Sequence, residues 1–170
     1  MQPSASQLEG IDLALIGSFF SRFAVSSGFD LYFDDFVLSA QEIAASDEEA
    51  INTGFVSSYL PSTFTANPQV IAQSVSLAAC LGAEIIATEI RDDSSLLLRF
   101  NNGVSIRLRT DTPVVDWHWA FTESGGDPYS GCFMACFAPG DLQGDMPNQS
   151  FKPTPTARLN SGVRPHTWAP

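Results

Sequence analysis

Asp116-Trp117-His118-Trp119 is the run whose residue types come nearest to a catalytic constellation. In a β-strand, Asp116 and His118 share one face and the two tryptophans share the other. Alternate residues then stand about 7 Å apart, near enough for a carboxylate to tune an imidazole for acid–base work. No nucleophile or second carboxylate is tied to the pair by spacing. The competing reading is a core Trp pair with Asp and His on the solvent side. Cys132 and Cys136 form a second constellation. In a strand they lie about 13 Å apart and cannot share an ion. Only a helix brings i and i+4 together, with His118 the nearest third ligand. Small buried thiols are the simpler account, so the expectation is no metal and no cofactor.

The carboxylates Asp34, Asp35, Asp47, Glu48, Glu49, Asp92 and Asp93 crowd segments that read as turns. No alternating Asp run with a central Gly appears, so a calcium loop is not indicated. These acids make either a solvated rim or an electrostatic face for a basic partner, as an inhibitor of a nuclease needs. Phosphate-binding glycine loops, Gly-x-Ser-x-Gly and zinc spacing are all missing from the sequence. The charge balance bears on the same choice. Nineteen acidic residues face eight basic ones, giving −11. Residues 1–148 hold all nineteen acids and only Arg22, Arg91, Arg99, Arg107 and Arg109, a net −14. Residues 149–170 hold Lys152, Arg158 and Arg164 and no acid, a net +3. Such an acidic body argues against general nucleic-acid or anionic-membrane binding, because phosphate contacts need cations.

The elements that must position these residues are mostly strands. At 170 residues, 44% hydrophobic and 16% charged, the chain reads as one folded domain. Its expected extent is 8–148, with residues 1–7 loose. The best local signal is 95–109, SLLLRFNNGVSIRLR. A three-residue loop at Asn101-Asn102-Gly103 pairs Phe100 with Val104, Leu98 with Ile106 and Leu96 with Leu108. Six apolar side chains then share a face, with Arg99, Arg107 and Arg109 opposite. A two-residue loop at Asp34-Asp35 likewise sets Phe33 against Phe36 and Leu31 against Leu38. Residues 17–25, 83–90, 114–122 and 131–137 read as further strands, the last buried on both faces. Asn67-Pro68 opens a helix over 68–80 with Ile71, Val75 and Ala78 on its apolar side and Gly82 as the stop. Within 40–67, Ser46 and Glu49 have capping-box spacing for a short turn, and 51–60 reads as an irregular or edge strand. Ile16-Gly17 through Phe33 echoes Leu81-Gly82 through Phe100, as two similar meanders would.

The expected fold is therefore α+β and mainly antiparallel β, with seven or eight strands. Two meander or hairpin units pack as a sandwich or curved sheet, with one helix near 68–80. No stretch reaches the roughly 18 apolar residues of a membrane helix. Residues 13–20 are apolar but follow Asp12 with no Lys or Arg before them, so they read as mature structure. Three cysteines do not make a disulfide framework, and the expected compartment is the cytoplasm.

Residues 149–170 differ from all that precedes them: Pro/Thr-rich, reversed in charge and without apolar periodicity, they read as a disordered tail and not a packed element. The string SFKPTPTARLNSGVRPH resembles the read-through of the recombination site that ends many mobile integron gene cassettes in bacteria. That resemblance implies a cassette-borne accessory gene and a tail shaped by DNA recombination. The body, over roughly 8–143, resembles a group of small bacterial domains of unknown function. Some of these are encoded beside secreted polymorphic toxins and are suspected to be immunity proteins. The features carrying it are Leu81-Gly82 before a strand, LLLRFNNGVSIRL, the segment 114–119 around a Trp, and a closing strand with Pro139-Gly140.

Three classes of function follow. The first is a non-catalytic, immunity-like module that binds a basic protein through Asp34, Asp35, Asp47, Glu48 and Glu49. The second is a small-ligand binder or homodimeric scaffold using Trp117, Trp119 and a phenylalanine-rich interior. The third is a hydrolase or isomerase built on Asp116 and His118.

Overall fold

A computed structural model of the chain describes residues 5–59, 67–114, 116–125 and 127–144, with the side chains of 5–8 and 55–59 excepted. The fold is α+β, mostly antiparallel β, in two sheets that do not close into a barrel. Among the described residues there are ten strands and three α-helices, more of each than expected.

Helix α1 (Ala5–Leu15) takes in residues 5–7 of the start expected to be loose, and residues 1–4 lie outside the described residues. Ile11, Ala14 and Leu15 are buried at i, i+3 and i+4 spacing, which gives the helix one core-facing stripe. Gly17, at φ +88°, ends it in the left-handed conformation. The strand expected over 17–25 reduces to β1 (Arg22–Val25). β1 forms a meander with β2 (Phe29–Tyr32) and β3 (Val37–Ala40). Leu31 faces Leu38, and the amide of Phe33 donates to the carbonyl of Phe36 across Asp34-Asp35, as the two-residue loop required.

The chain then turns through Gln41-Glu42 into β4 (Ile43–Ala45) and enters the other sheet. Helix α2 (Glu48–Tyr59) replaces the strand expected over 51–60, of which Leu60 lies outside the described residues. Its start does not use the Ser46–Glu49 capping box. Glu48 Oε2 accepts from the amide of Ala45, and Ser46 Oγ accepts from the amide of Ser105. Helix α3 (Pro68–Ala79) begins at the expected cap, with Asn67 Oδ1 accepting from the amide of Gln69. Its buried face is not the expected one. Ala72, Gln73, Ser76 and Leu77 are buried, while Val75 is 44% exposed. The reason is polar: Gln73 Nε2 donates to the Ile43 carbonyl at 2.7 Å, satisfying β4 at the edge of its sheet.

A second meander follows: β5 (Ile85–Ile90), β6 (Leu96–Phe100) and β7 (Ser105–Leu108). Leu96 faces Leu108 and Leu98 faces Ile106, with Gly103 at φ +90° in a loop where Phe100 and Val104 are bonded. The register is the expected one. The strand expected over 114–122 shortens to β8 (Trp119–Thr122), because the chain spends the preceding residues crossing between sheets. A 3-10 turn (Pro128–Ser130) leads to β9 (Met134–Ala138) and β10 (Asp141–Gln143). β9 is interior, paired on both edges, and starts later than the strand expected from residue 131.

The strand orders are β1-β2-β3-β8-β9-β10 and β4-β7-β6-β5, so the two meanders occupy different sheets. They are joined with internal symmetry. Gly17 N donates to Ile85 O, and Gly82 N to Phe20 O; adding 65 to 17 and to 20 gives 82 and 85. Phe20 N to Ala83 O and Ile85 N to Ser18 O obey the same shift. Each unit is a helix, a left-handed glycine (Gly17 or Gly82) and a three-stranded meander. Each also sends its next strand to the other sheet: β4 pairs with β7, and β8 with β3. One apolar core spans both, with the Phe20 ring 5.5 Å from Phe33 and 5.9 Å from Phe100.

Candidate functional site

The residues singled out for chemistry fall where the strands change sheets. At this corner the Gln41 amide donates to the His118 carbonyl, and the Arg109 amide donates to the Glu42 carbonyl. Between Arg109 and His118 the second unit carries eight residues, 110–117, that the first unit lacks between Gln41 and Glu42. Asp111 in this insertion accepts from Arg109 Nε at 2.7 Å and lies 3.4 Å from Arg107 Nη2. The hydrogen bond from Arg109 and the charge of both arginines hold the Asp111 carboxyl below its usual range. Thr110 Oγ1 donates to the Asp93 carbonyl, tying the insertion to the turn between β5 and β6.

The next three residues part company. Asp116 is exposed, Trp117 is half-buried and His118 is buried. Because no strand forms here, the alternation expected to put Asp116 and His118 on one face does not arise. No hydrogen bond or ion pair joins them. The His118 Nδ1 is buried with no partner. Burial pushes its pKa down, and the charge of Asp111, not Asp116, pushes it part of the way back. Trp119 is fully buried, its Nε1 donating to the Ser94 carbonyl at 2.8 Å. It belongs to the core, and the two tryptophans do not share a face.

Trp117 and Asp116 instead line two adjoining depressions. The first, about 180 Å³, is bounded by Ser26, Ser27, Asp30, Ser39, Gln41 and Trp117. The second, about 300 Å³, is bounded by Ser27, Gln41, Glu42, Pro113, Val114 and Asp116. Ser27 and Gln41 border both, so the two lie side by side as a corner groove with a shared wall. Gly28 in its wall cannot bear a side chain, since a Cβ would lie 2.5 Å from the Ala40 carbonyl oxygen. Sequence reasoning missed Asp30, Gln41 and Glu42. The only signal for them was the Ser26-Ser27-Gly28 turn, whose amide-to-carbonyl bond from Ser26 to Gly28 is present.

The other acids are dispersed. Asp34 and Asp35 form the wall between a depression of about 140 Å³ beside α1 and one of about 550 Å³ beside Arg22, Tyr32 and Glu123. Asp47 and Glu49 are exposed at the start of α2. Glu48 serves the fold, accepting from Ala45 and from Gln73 Nε2. Asp93 accepts from the amide and hydroxyl of Ser95; burial pushes its pKa up, and these bonds more than reverse it.

The thiols are chemically quiet. Burial pushes Cys136 up to about 12, and Asp141 and Asp93 add to it. Burial likewise raises Cys80 to about 11. Cys132 precedes β9, outside the strand expected to hold both Cys132 and Cys136. Among the described residues no three His, Cys, Asp or Glu side chains are grouped to hold a metal ion. Among the same residues no helix is long and apolar enough to cross a membrane. The chain matches no family model, no curated protein and no solved structure.

Proposed function

We propose that this chain is a non-catalytic, acidic binding module for a basic protein, immunity-like in its action, acting in the cytoplasm and carried on a bacterial gene cassette. One observation carries the reading. The body's arginines are spent inside the molecule: Arg91 and Arg99 on Glu89, Arg107 and Arg109 on Asp111, and Arg22 over the Tyr32 ring at 3.9 Å. Four cations thus converge on two carboxylates. Asp34, Asp35, Asp116 and Glu123, which line the surface depressions, stand in no ion pair with them. The negative potential of the body is left facing outward, where it steers a cationic partner and fixes its orientation.

The hydrolase reading loses its geometric support, since no hydrogen bond or ion pair joins Asp116 to His118, and His118 is buried while Asp116 is exposed. Affinity capture from the lysate of a cassette-bearing host tests the proposal. The wild-type chain should retain a basic protein that D34N/D35N/D116N does not. A retained protein of acidic or neutral charge, held equally by both forms, would refute it.

A further inference from the structure

Building on the acidic-module reading, we infer that the corner groove is a receptor for one cationic side chain of the partner, an arginine, seated on Trp117 between Asp116 and Asp30. Two features of the groove point to that occupant. It presents a half-buried indole with Asp30 in one depression and Asp116 and Glu42 in the adjoining one, and no basic residue lines either. A guanidinium is planar and weakly hydrated; it stacks on an indole face while its N–H fork meets a carboxylate. The molecule already holds one pair of this kind, Arg22 over Tyr32.

The symmetry of the fold separates this corner from its counterpart. Beside the turn between β5 and β6, the equivalent space is closed: Thr110 Oγ1 donates to the Asp93 carbonyl, Trp119 Nε1 to the Ser94 carbonyl, and the Gly140 amide to Ser94 Oγ. Among the described residues no such hydrogen bonds close the space beside the turn between β1 and β2, and the insertion supplies Trp117 and Asp116 to its rim. The groove is thus the place where the two halves of a repeated scaffold differ. Insertions that decorate a rigid frame are where recognition is built. Glu42 is partly committed, because its charge helps hold the proton of Arg109. Asp30 is partly committed too, accepting from Ser39 Oγ at 2.6 Å. Asp116 stands in no ion pair among the described residues.

The test is an NMR titration of the full chain with a tetra-arginine peptide and with tetra-citrulline, its uncharged isostere, following the tryptophan indole N–H resonances. Tetra-arginine should shift the Trp117 indole saturably and leave Trp119 still. Tetra-citrulline should do neither. D116N should weaken the interaction by about fivefold, as loss of one partly exposed ion pair predicts, and D34N/D35N should leave the Trp117 shift in place. Equal shifts by both peptides would overturn the inference, since charge would then not be read. If tetra-arginine shifts residues around Asp34-Asp35 and not Trp117, the groove assignment fails while the acidic-module reading stands. If it shifts nothing, both fail.

Discussion

His118 is the residue whose chemistry is most constrained by its surroundings. Its main chain joins β9 through the Cys136 carbonyl and the corner through the Gln41 amide, and its Nδ1 is buried without a partner. Such a group is tolerated as a neutral imidazole and penalised as a cation. The folded pKa therefore lies below the ordinary 6.5, and the unfolded chain takes up the proton first. Stability from this residue is fully present above pH 6.5 and is lost as pH falls through that value toward the folded pKa. Denaturant unfolding followed from pH 7.5 to 5 should show wild-type stability declining and an H118L variant holding flatter over the same range. Asp93 and Asp111, both lowered from 3.8, add a separate loss only in stronger acid. The types Asp, Trp and His were legible; their separation into exposed, half-buried and buried positions depended on a strand that does not form.

Among the elements, legibility followed how local the determining interaction is. The 96–108 hairpin was readable because its register is fixed by its own alternation and by Gly103. The cap of α3 was readable because Asn67 and Pro68 act within one turn. Helix α2 was not, since Asn52-Thr53-Gly54 and Ser57-Ser58 are poor helix formers and α2 owes its stability to packing on α3. The buried face of α3 was misread for a related reason. Gln73 is turned inward by the unpaired edge of β4, a demand that no periodicity within the helix records. Q73L should cost about 1–3 kcal/mol of unfolding free energy, because it strands the Ile43 carbonyl. V75A, on the face expected to be buried, should stay within about 0.5 kcal/mol of wild type. Equal costs would contradict the placement of this helix.

For the whole molecule, two organising facts emerge. The repeated helix–glycine–meander unit, audible in the sequence as the echo between Gly17 and Gly82, is completed by an exchange of strands that the sequence did not announce. The exchange pairs residues far apart in the chain, and nothing in either segment specifies the partner. Among the described residues the core cluster runs from Ile11 to Leu142, and residues 149–170 carry no apolar periodicity with which to join it. Deleting 149–170, which lie outside the described residues, should shift the melting temperature by less than about 2 °C, and a loss of several degrees would contradict the reading of that segment as an unpacked tail.

The second fact is electrostatic. Arginines gathered on Glu89 and Asp111 leave Asp34, Asp35 and Asp116 outside the ion pairs of the described residues, with Arg22, stacked on Tyr32, the one cation that lines the depression at Asp34-Asp35. The central claim is that this surplus is the recognition element. It is tested most directly by the affinity of the chain for its captured partner, measured by calorimetry at 0.1 M and 1 M salt, where the screening length falls from about 10 Å to about 3 Å. The account predicts that binding strong at 0.1 M weakens by at least about tenfold at 1 M, with D34N/D35N/D116N reproducing much of that loss at low salt. An affinity unchanged by salt and by those substitutions would contradict it.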